Sequence, residues 1–112
     1  MLNVSDSMRG YIDTVILSQL STGDTYGYEI TKTVNRLSQG RFELKEATLY
    51  TAFRRLEQDG FILSYWGDED SGARRRYYSL TQLGKVQLAE NRRDWQNVKQ
   101  LLDILISETC HP

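Results

Sequence analysis

The sequence predicts a mainly α-helical chain with a small β-hairpin, and two patterns lead to this fold class. Apolar residues recur at a spacing of three and four in four segments, as in helices with one buried face. Between the third and fourth segments, an acidic, glycine-containing loop joins two short runs rich in aromatic and aliphatic residues. Three helices followed by such a hairpin form a winged helix-turn-helix, and the fourth segment predicts a long C-terminal helix.

The first two predicted helices are short and amphipathic. The first covers about residues 6–20, with Ser5 or Asp6 as its cap, and the second covers about residues 26–38, with Asp24 or Thr25 as its cap. A polar turn at residues 21–25 separates them. Apolar positions define the buried face of the first helix at Met8, Tyr11, Ile12, Val15, Ile16 and Leu20, and that of the second at Tyr26, Ile30, Val34 and Leu37.

The third predicted helix, at residues 46–59, has two chemically different faces. Leu49, Phe53 and Leu56 share the buried face, and Gly60 is suited to the left-handed turn that ends a helix. A short strand is predicted just before this helix, at residues 42–44, and the hairpin strands at residues 61–66 and 74–80. The outer face of the helix carries hydroxyl, amide and guanidinium groups at Thr48, Thr51, Arg54, Arg55 and Gln58.

This outer face and the arginines of the hairpin predict a DNA interface. Arginines bind guanine edges and phosphates, and hydroxyl groups donate hydrogen bonds to phosphates. Because successive residues of a strand point to opposite faces, Arg75 is separated from Arg74 and Arg76. Lys45 either reaches a phosphate or remains a solvated loop lysine. The predicted contacts are Lys45, Thr48, Tyr50, Thr51, Arg54, Arg55, Arg74, Arg75 and Arg76.

The charge balance leaves a second interpretation open. The chain has 14 Lys plus Arg against 15 Asp plus Glu, a net charge of -1, whereas many nucleic-acid-binding domains are globally basic. On an ordinary helix surface, Arg54 would pair with Glu57, and Arg55 with Asp59. The acidic residues 68–70 at the hairpin tip would likewise neutralise the hairpin arginines. The alternative function is therefore a winged-helix protein-interaction module that dimerises without binding DNA.

The last helical segment, at residues 81–108, predicts a homodimer. Thr81 is a good cap, and the apolar positions from Leu88 onward follow a seven-residue repeat. Such a helix spans about 42 Å at about 1.5 Å per residue, whereas a compact domain of this size has a radius of gyration of roughly 13 Å. The helix must therefore overhang its own domain. We expect a DNA-binding domain at residues 1–80, a dimerisation helix and tail at residues 81–112, and partner contacts through Leu88, Trp95, Val98, Leu102 and Leu105.

Other features of the sequence exclude several classes of protein. No apolar run reaches the roughly 20 residues that span a bilayer, and the N-terminus lacks the pattern of a secretory signal, so we expect a cytoplasmic protein without membrane contact. Cys110 and His111 lie at the end of the chain, where a frayed tail is expected rather than a thiol sensor or metal ligand. There is no catalytic constellation and no cofactor or metal motif, so the sequence does not indicate an enzyme.

Three segments resemble the PadR family of transcriptional repressors: YGYEI at residues 26–30, ATLYTAFRRLEQDGFI at residues 47–62 and RRRYYSLTQLGK at residues 74–85. Their order and spacing match the short subfamily that carries one C-terminal helix. The resemblance implies a dimeric repressor on a two-fold double-stranded DNA operator, released by small molecules in its drug-sensing branch. It also implies a phosphate contact from Tyr26; the alternative for Tyr26 is a place in the core.

Trp95 lies on the predicted dimer seam, where a large flat side chain facing its symmetry mate can leave a slot for a flat aromatic ligand. Met8, Tyr11 and Val15 from the first helix are placed to line this slot. By resemblance, Trp95 is the residue on which a drug stacks; the alternative is a plain interface anchor. Arg92 and Lys99 lie one turn on either side of Trp95 and favour anionic or neutral aromatic ligands over cationic ones.

Overall fold

The computed structural model describes residues 4–67 and 74–107 and confirms the predicted fold class. Most of the described residues are helical, and the remainder include a three-stranded antiparallel sheet. In chain order the elements are α1 (Val4–Met8), a 3₁₀ turn (Arg9–Tyr11), α2 (Ile12–Leu20), β1 (Thr25–Tyr26), α3 (Gly27–Leu37), α4 (Glu46–Gln58), β2 (Ile62–Trp66), β3 (Arg76–Leu80) and α5 (Gln82–Ile106).

The first predicted helix is two helices, and this corrects its expected extent. The 3₁₀ turn separates α1 from α2 and contains Gly10, a residue that weakens the interior of an α-helix. The expected caps were also wrong, because Ser5 and Asp6 lie within α1 rather than before it. The residues Ile16, Leu17 and Leu20 of α2 are buried in the core.

The strand predicted at residues 42–44 was wrong, and a strand at β1 was missed. Phe42 and Leu44 are buried without strand pairing, and the backbone N–H of Phe42 donates to Ser38 Oγ at 3.1 Å. β1 instead pairs with β3, so the sheet order is β1-β3-β2. Because Thr25 belongs to this strand, neither it nor Asp24 caps α3, and Tyr26 takes the cap position without a side-chain hydrogen bond. Leu37, expected on the buried face of this helix, is exposed.

α4 packs on the sheet through the face predicted for it. Leu49, Phe53 and Leu56 are buried, and the Phe53 ring stacks on Tyr78 of β3 with a centroid distance of 3.7 Å. Gly60 has φ 79°, and its N–H donates to Glu57 O while the Phe61 N–H donates to Leu56 O at 3.0 Å. This is the predicted left-handed end of the helix, and it aims the chain directly into β2.

The start of α5 is built into the same core. Thr81 Oγ1 accepts from Gly84 N–H at 3.0 Å, as predicted for a cap, and donates to Gly60 O at 2.7 Å. Gly84 lies against the Phe61 carbonyl, where a Cβ atom would overlap the oxygen. Leu88 is buried, and Asn91 Nδ2 donates to Thr14 Oγ1 of α2 at 3.1 Å.

The second half of α5 leaves the rest of the chain. From residue 92 to residue 106 every residue is exposed. The radius of gyration is 16.4 Å, well above the roughly 13 Å of a compact chain of this length, and the longest dimension is 63 Å. The predicted overhang is therefore present, and it follows the hydrogen bond of Arg92 to Ser18 of α2.

Candidate nucleic-acid interface and interhelical groove

The outward face of α4 is polar and open. Thr48, Thr51, Arg54 and Gln58 are all exposed, on the opposite side from the buried Leu49 and Phe53. With 3.6 residues per turn, Thr51, Arg54 and Gln58 fall on one strip along the helix. An exposed helix that presents a hydroxyl, a guanidinium and an amide has the dimensions and the chemistry for the DNA major groove.

Two residues near the start of α4, Lys45 and Tyr50, differ in how closely they pack against the rest of the chain. Lys45 occupies the cap position with extended backbone and is exposed, and its ammonium group, which has no acceptor atom, cannot cap the helix N–H groups. Tyr50 is half-exposed and packs on the start of α3, where a Cβ atom at Gly27 would lie 2.7 Å from the Tyr50 hydroxyl oxygen. A side chain at position 27 would therefore require the Tyr50 ring to shift.

The wing, defined here as β2, β3 and the loop that joins them, separates its arginines as strand alternation predicts. The Arg74 and Arg76 guanidinium groups lie 5.6 and 5.8 Å from the Trp66 ring centroid. Arg75 lies 4.7 Å from the ring centroid of Tyr26, on the other face of the sheet. The acidic tip at residues 68–70 lies outside the described residues.

Tyr26 belongs to an aromatic row on the sheet. Its ring meets Tyr77 edge-on at a centroid distance of 5.4 Å, and Tyr77 stacks on Tyr65 at 5.8 Å. Tyr65 donates its hydroxyl to Asp24 at 2.6 Å, and this hydrogen bond to the carboxylate raises the pKa of Tyr65. Tyr26 is half-buried and its ring packs on Tyr77. Both alternatives for this residue, a phosphate contact and a packing role, therefore stay open.

Arg55 and Arg76 are already bound to acids from other elements. Arg55 forms a bidentate ion pair with Asp13 of α2, and this hydrogen bond raises the pKa of Arg55. Arg76 Nη2 donates to Ser64 Oγ at 2.8 Å and lies 3.8 Å from a Glu57 carboxylate oxygen. The helical partners suggested as the alternative, Glu57 for Arg54 and Asp59 for Arg55, are not the partners found among the described residues.

Sequence reasoning missed two exposed residues beside this surface. Tyr28 is 68 % exposed on the first turn of α3, and Lys32 Nζ lies 5.9 Å from its ring centroid. Both line a shallow depression together with Lys45 and Tyr50. Their spacing of four in an exposed helical register was the available signal, but it became informative only when α3 and α4 were brought together.

A large groove lies between the N-terminal helices and the overhanging part of α5. Its volume is about 1210 Å³, and Met8, Tyr11, Val15 and Trp95 all line it. The four residues predicted to form a ligand slot therefore come together, across more than 70 residues of sequence, around one space. Small-molecule sites usually measure roughly 300–1,000 Å³, so this open groove exceeds what a single flat ligand fills.

Most of the groove's surface is apolar, and two of its three charged lining residues, all on α5, are cationic. Lys99 Nζ lies 5.2 Å from the Trp95 ring centroid, and Arg92 Nη2 donates to Ser18 Oγ of α2 at 3.1 Å. Asp103 contributes one carboxylate further along the same wall. The charge that lies over the Trp95 ring is therefore the positive charge of Lys99.

The predicted dimer contacts divide into two groups. Trp95, Val98, Leu102 and Leu105 are 42 %, 41 %, 48 % and 69 % exposed, so one chain leaves their apolar surface uncovered. Leu88 is only 3 % exposed and packs within its own chain's core, against the prediction that it contacts a partner. The physical reason is that α5 packs against α2 at this level. The apolar face of α5 is therefore buried in the chain's own core at Leu88 and becomes exposed only further along the helix.

Among the described residues, no helix is both long and apolar enough to cross a bilayer. The fold and the surface together define a winged-helix protein whose helix α4 and wing present arginines. That class is represented by a family model for the PadR-like transcriptional regulators, which matches residues 16–90. The chain belongs to the PadR-like transcriptional regulator family.

Similar proteins agree with this assignment. A transcriptional regulator from Clostridium thermocellum has 42 % identity and a TM-score of 0.85, over 92 % of this chain and 100 % of that one. A PadR family transcription regulator from hypervirulent Clostridium difficile R20291 has 40 % identity and a TM-score of 0.76, over 87 % of this chain and 99 % of that one. An uncharacterized protein of Lysinibacillus sphaericus is 41 % identical over 91 % of this chain and 94 % of its own length. The family and the two solved structures are transcriptional regulators, not enzymes.

Proposed function

We propose that this chain is a homodimeric transcriptional repressor that binds a two-fold DNA operator and leaves it when a planar aromatic ligand enters the groove. Residues 1–80 act as the DNA-binding domain, and residues 81–112 contribute the dimerisation helix and tail. A repressor of this kind acts on chromosomal DNA in the cytoplasm. The observation that carries the proposal is that one chain presents both an exposed polar face on α4, the proposed recognition helix, and an uncovered apolar face on the second half of α5.

Dimerisation is supported by the cost of leaving α5 uncovered. Burial of apolar surface contributes roughly 25 cal/mol per Å², and monomeric proteins rarely expose a long contiguous apolar stripe. Trp95, Val98 and Leu102 extend along the overhang into the groove that α1 and α2 border. A second copy laid into this groove covers both stripes by the same contact, as two-fold symmetry requires.

DNA binding is supported by the exposed strip of α4 and by the adjacent wing. Thr51, Arg54 and Gln58 face outward for base edges. Lys45 and the wing arginines flank the strip, where phosphates run beside a major groove. Tyr26, Tyr50 and Thr48 add hydroxyl groups at its border.

Ligand release is supported by the four groove residues and by the nearby charges. The sequence also resembles the multidrug-sensing repressor LmrR of this family, and that resemblance assigns Trp95 to ligand stacking. Because Lys99 lies over the Trp95 ring and Arg92 lines the same groove, the ligand class that fits is a planar aromatic anion. A ligand between the two copies changes how they meet, and so changes the spacing of the recognition helices.

The DNA part is tested with a gel shift on the DNA upstream of the chain's own gene, measured over a series of salt concentrations. We expect binding whose affinity falls steeply with salt, because each neutralised phosphate releases counterions. Arg74→Ala should reduce the slope of log affinity against log salt by about one while the dimer persists. A folded dimer that gives no shift at low salt would instead support the protein-interaction module, which the net charge of -1 keeps as the second candidate.

The ligand part is tested with the anionic dye 1-anilinonaphthalene-8-sulfonate. The chain has two tryptophans, so Trp66→Phe leaves Trp95 as the only reporter of groove binding by fluorescence. Loss of fluorescence in Trp95→Ala is uninformative because the reporter itself is removed, so the affinity of that variant is measured by calorimetry. We expect it to fall at least tenfold, and an unchanged affinity would refute stacking on Trp95.

A further inference from the structure

The recognition helix α4 is held by a polar clamp on each of its two flanks. On one flank, the Arg55 guanidinium binds both carboxylate oxygens of Asp13, with Nε to Oδ2 at 3.2 Å. These partners are 42 residues apart in the sequence and belong to different helices. A bidentate arginine–carboxylate pair fixes the direction as well as the distance between the two elements.

The second clamp joins α4 to the wing. Ser64 Oγ of β2 donates to Glu57 Oε2 at 2.7 Å and accepts from Arg76 Nη2 of β3 at 2.8 Å. Arg76 also lies 3.8 Å from the other carboxylate oxygen of Glu57. One carboxylate of α4 therefore engages both strands of the wing.

The two clamps occupy opposite flanks of α4. Arg55 and Glu57 are two positions apart, which separates them by about 200° around the helix axis. Leu49, Phe53 and Leu56 occupy the buried arc on one side between them. The remaining arc, which faces solvent, contains the strip of Thr51, Arg54 and Gln58.

We infer that Arg55 and Arg76 are positioning residues rather than DNA contacts, and that Asp13 and Glu57 are their essential partners. This inference rests on the proposed DNA binding and narrows which residues carry it. A guanidinium that already serves a carboxylate has fewer N–H donors left for a phosphate, and its charge is already balanced, so the added phosphate contact gains less free energy. What the clamps supply instead is a fixed orientation of the strip, which the hydrogen bonds to base edges require.

Arg54 and Arg74 are in a different situation. Arg74 contacts the Trp66 ring. Among the described residues, neither Arg74 nor Arg54 forms a salt bridge with a carboxylate. Both guanidinium groups can meet a phosphate or a guanine without breaking an ion pair within the described fold. The assignment therefore separates arginines that are neighbours in the sequence, Arg54 from Arg55 and Arg74 from Arg76.

Asp13→Asn is the substitution that distinguishes the two roles of Arg55. If Arg55 bound phosphate, removal of the acid beside it would release the guanidinium, so operator affinity would rise and the salt slope would steepen. If Arg55 positions α4, loss of its partner loosens the helix. Affinity should then fall roughly tenfold, the equivalent of about 1.4 kcal/mol, with an unchanged salt slope.

The experiment measures the affinity of the full-length dimer for the DNA upstream of its gene at several salt concentrations. Asp13→Asn and Arg76→Gln should weaken binding with the wild-type slope, whereas Arg74→Gln, the matched control in the same wing, should flatten the slope by about one. The charge exchange Asp13→Arg with Arg55→Asp should recover most of the affinity that Arg55→Asp alone loses. Thermal unfolding identifies variants that no longer fold. If the charge-exchange variant does not fold, Asp13→Asn, which keeps the side chain's size, still tests the inference.

Three results would count against the inference. Tighter binding by Asp13→Asn, a flatter slope in Arg76→Gln, or a charge exchange that folds but binds no better than Arg55→Asp would each assign these arginines to phosphate. Absence of operator binding by the unaltered chain would overturn the proposed DNA binding itself, and the inference with it. The wild-type titration thus separates the two failures.

Discussion

Truncation of Leu105 should weaken the dimer without weakening the fold of each chain. In one chain 69 % of this side chain is exposed, near the end of the overhang. Leu105→Ala removes three carbons, each contributing about 0.8 kcal/mol when fully buried. If the partner covers the exposed fraction, each copy loses roughly 1.6 kcal/mol. Two-fold symmetry doubles this to about 3 kcal/mol, which raises the dimer dissociation constant roughly 200-fold.

Leu88→Ala is the matched control, because the same chemical change is made on the same helix. Leu88 is 3 % exposed and packs in the core of its own chain. Its truncation should therefore cost about 2–5 kcal/mol of folding free energy, because it leaves a cavity within one chain. Leu105→Ala should leave the folding of the separated chain unchanged.

Sedimentation equilibrium over a range of concentrations gives the dissociation constant of the dimer. Urea unfolding at two protein concentrations shows how far stability depends on assembly. The reasoning is refuted if Leu105→Ala dissociates no more readily than the wild type, since its apolar surface then meets no partner. It is equally refuted if Leu88→Ala changes association and not the stability of the separated chain.

Three further predictions follow from single contacts. Gly84→Ala should lower the free energy of unfolding by about 1–3 kcal/mol in urea denaturation, because the new Cβ overlaps the Phe61 carbonyl; an unchanged midpoint would show that α5 is not held there. Burial raises the pKa of Tyr78, so the folded state keeps this proton longer than the unfolded state does. Stability should therefore be unaffected by this group below about pH 10 and fall above it, less steeply in Tyr78→Phe; equal alkaline losses in both proteins would contradict this. Lys99→Gln should weaken calorimetric binding of 1-anilinonaphthalene-8-sulfonate severalfold while binding of a neutral aromatic compound is kept, since the ammonium lies 5.2 Å from the Trp95 ring; equal losses for both compounds would exclude a charge effect.

Local periodicity predicted the helices that bury one face of apolar side chains. The three-and-four spacing of Leu49, Phe53 and Leu56 located α4 and its buried side, and Gly60 marked its end within one residue. Thr81 was recognised as the cap of α5 because capping depends on residues only three positions apart. In each of these cases the residues that form the pattern lie within a few positions of one another in the sequence.

Short or remote interactions could not be read from the sequence in the same way. β1 has two residues, too few for any alternation, and its pairing with β3 joins positions 53 or 51 residues apart, such as Thr25 with Tyr78. The pairing of Arg55 with Asp13 is likewise invisible to helical spacing, which suggested Asp59 instead. Leu88 was assigned to the dimer because a seven-residue repeat does not distinguish a chain's own core from that of a partner.

The most direct test of the account is a hydroxyl-radical footprint of the purified dimer on the DNA upstream of its gene, with the number of bound chains counted in the same complex. The account predicts two chains per site and two equal protected patches, centred about 34 Å apart along the duplex or at a whole multiple of that helical turn. A single patch from one chain, or no protection by a folded dimer at low salt, would contradict it.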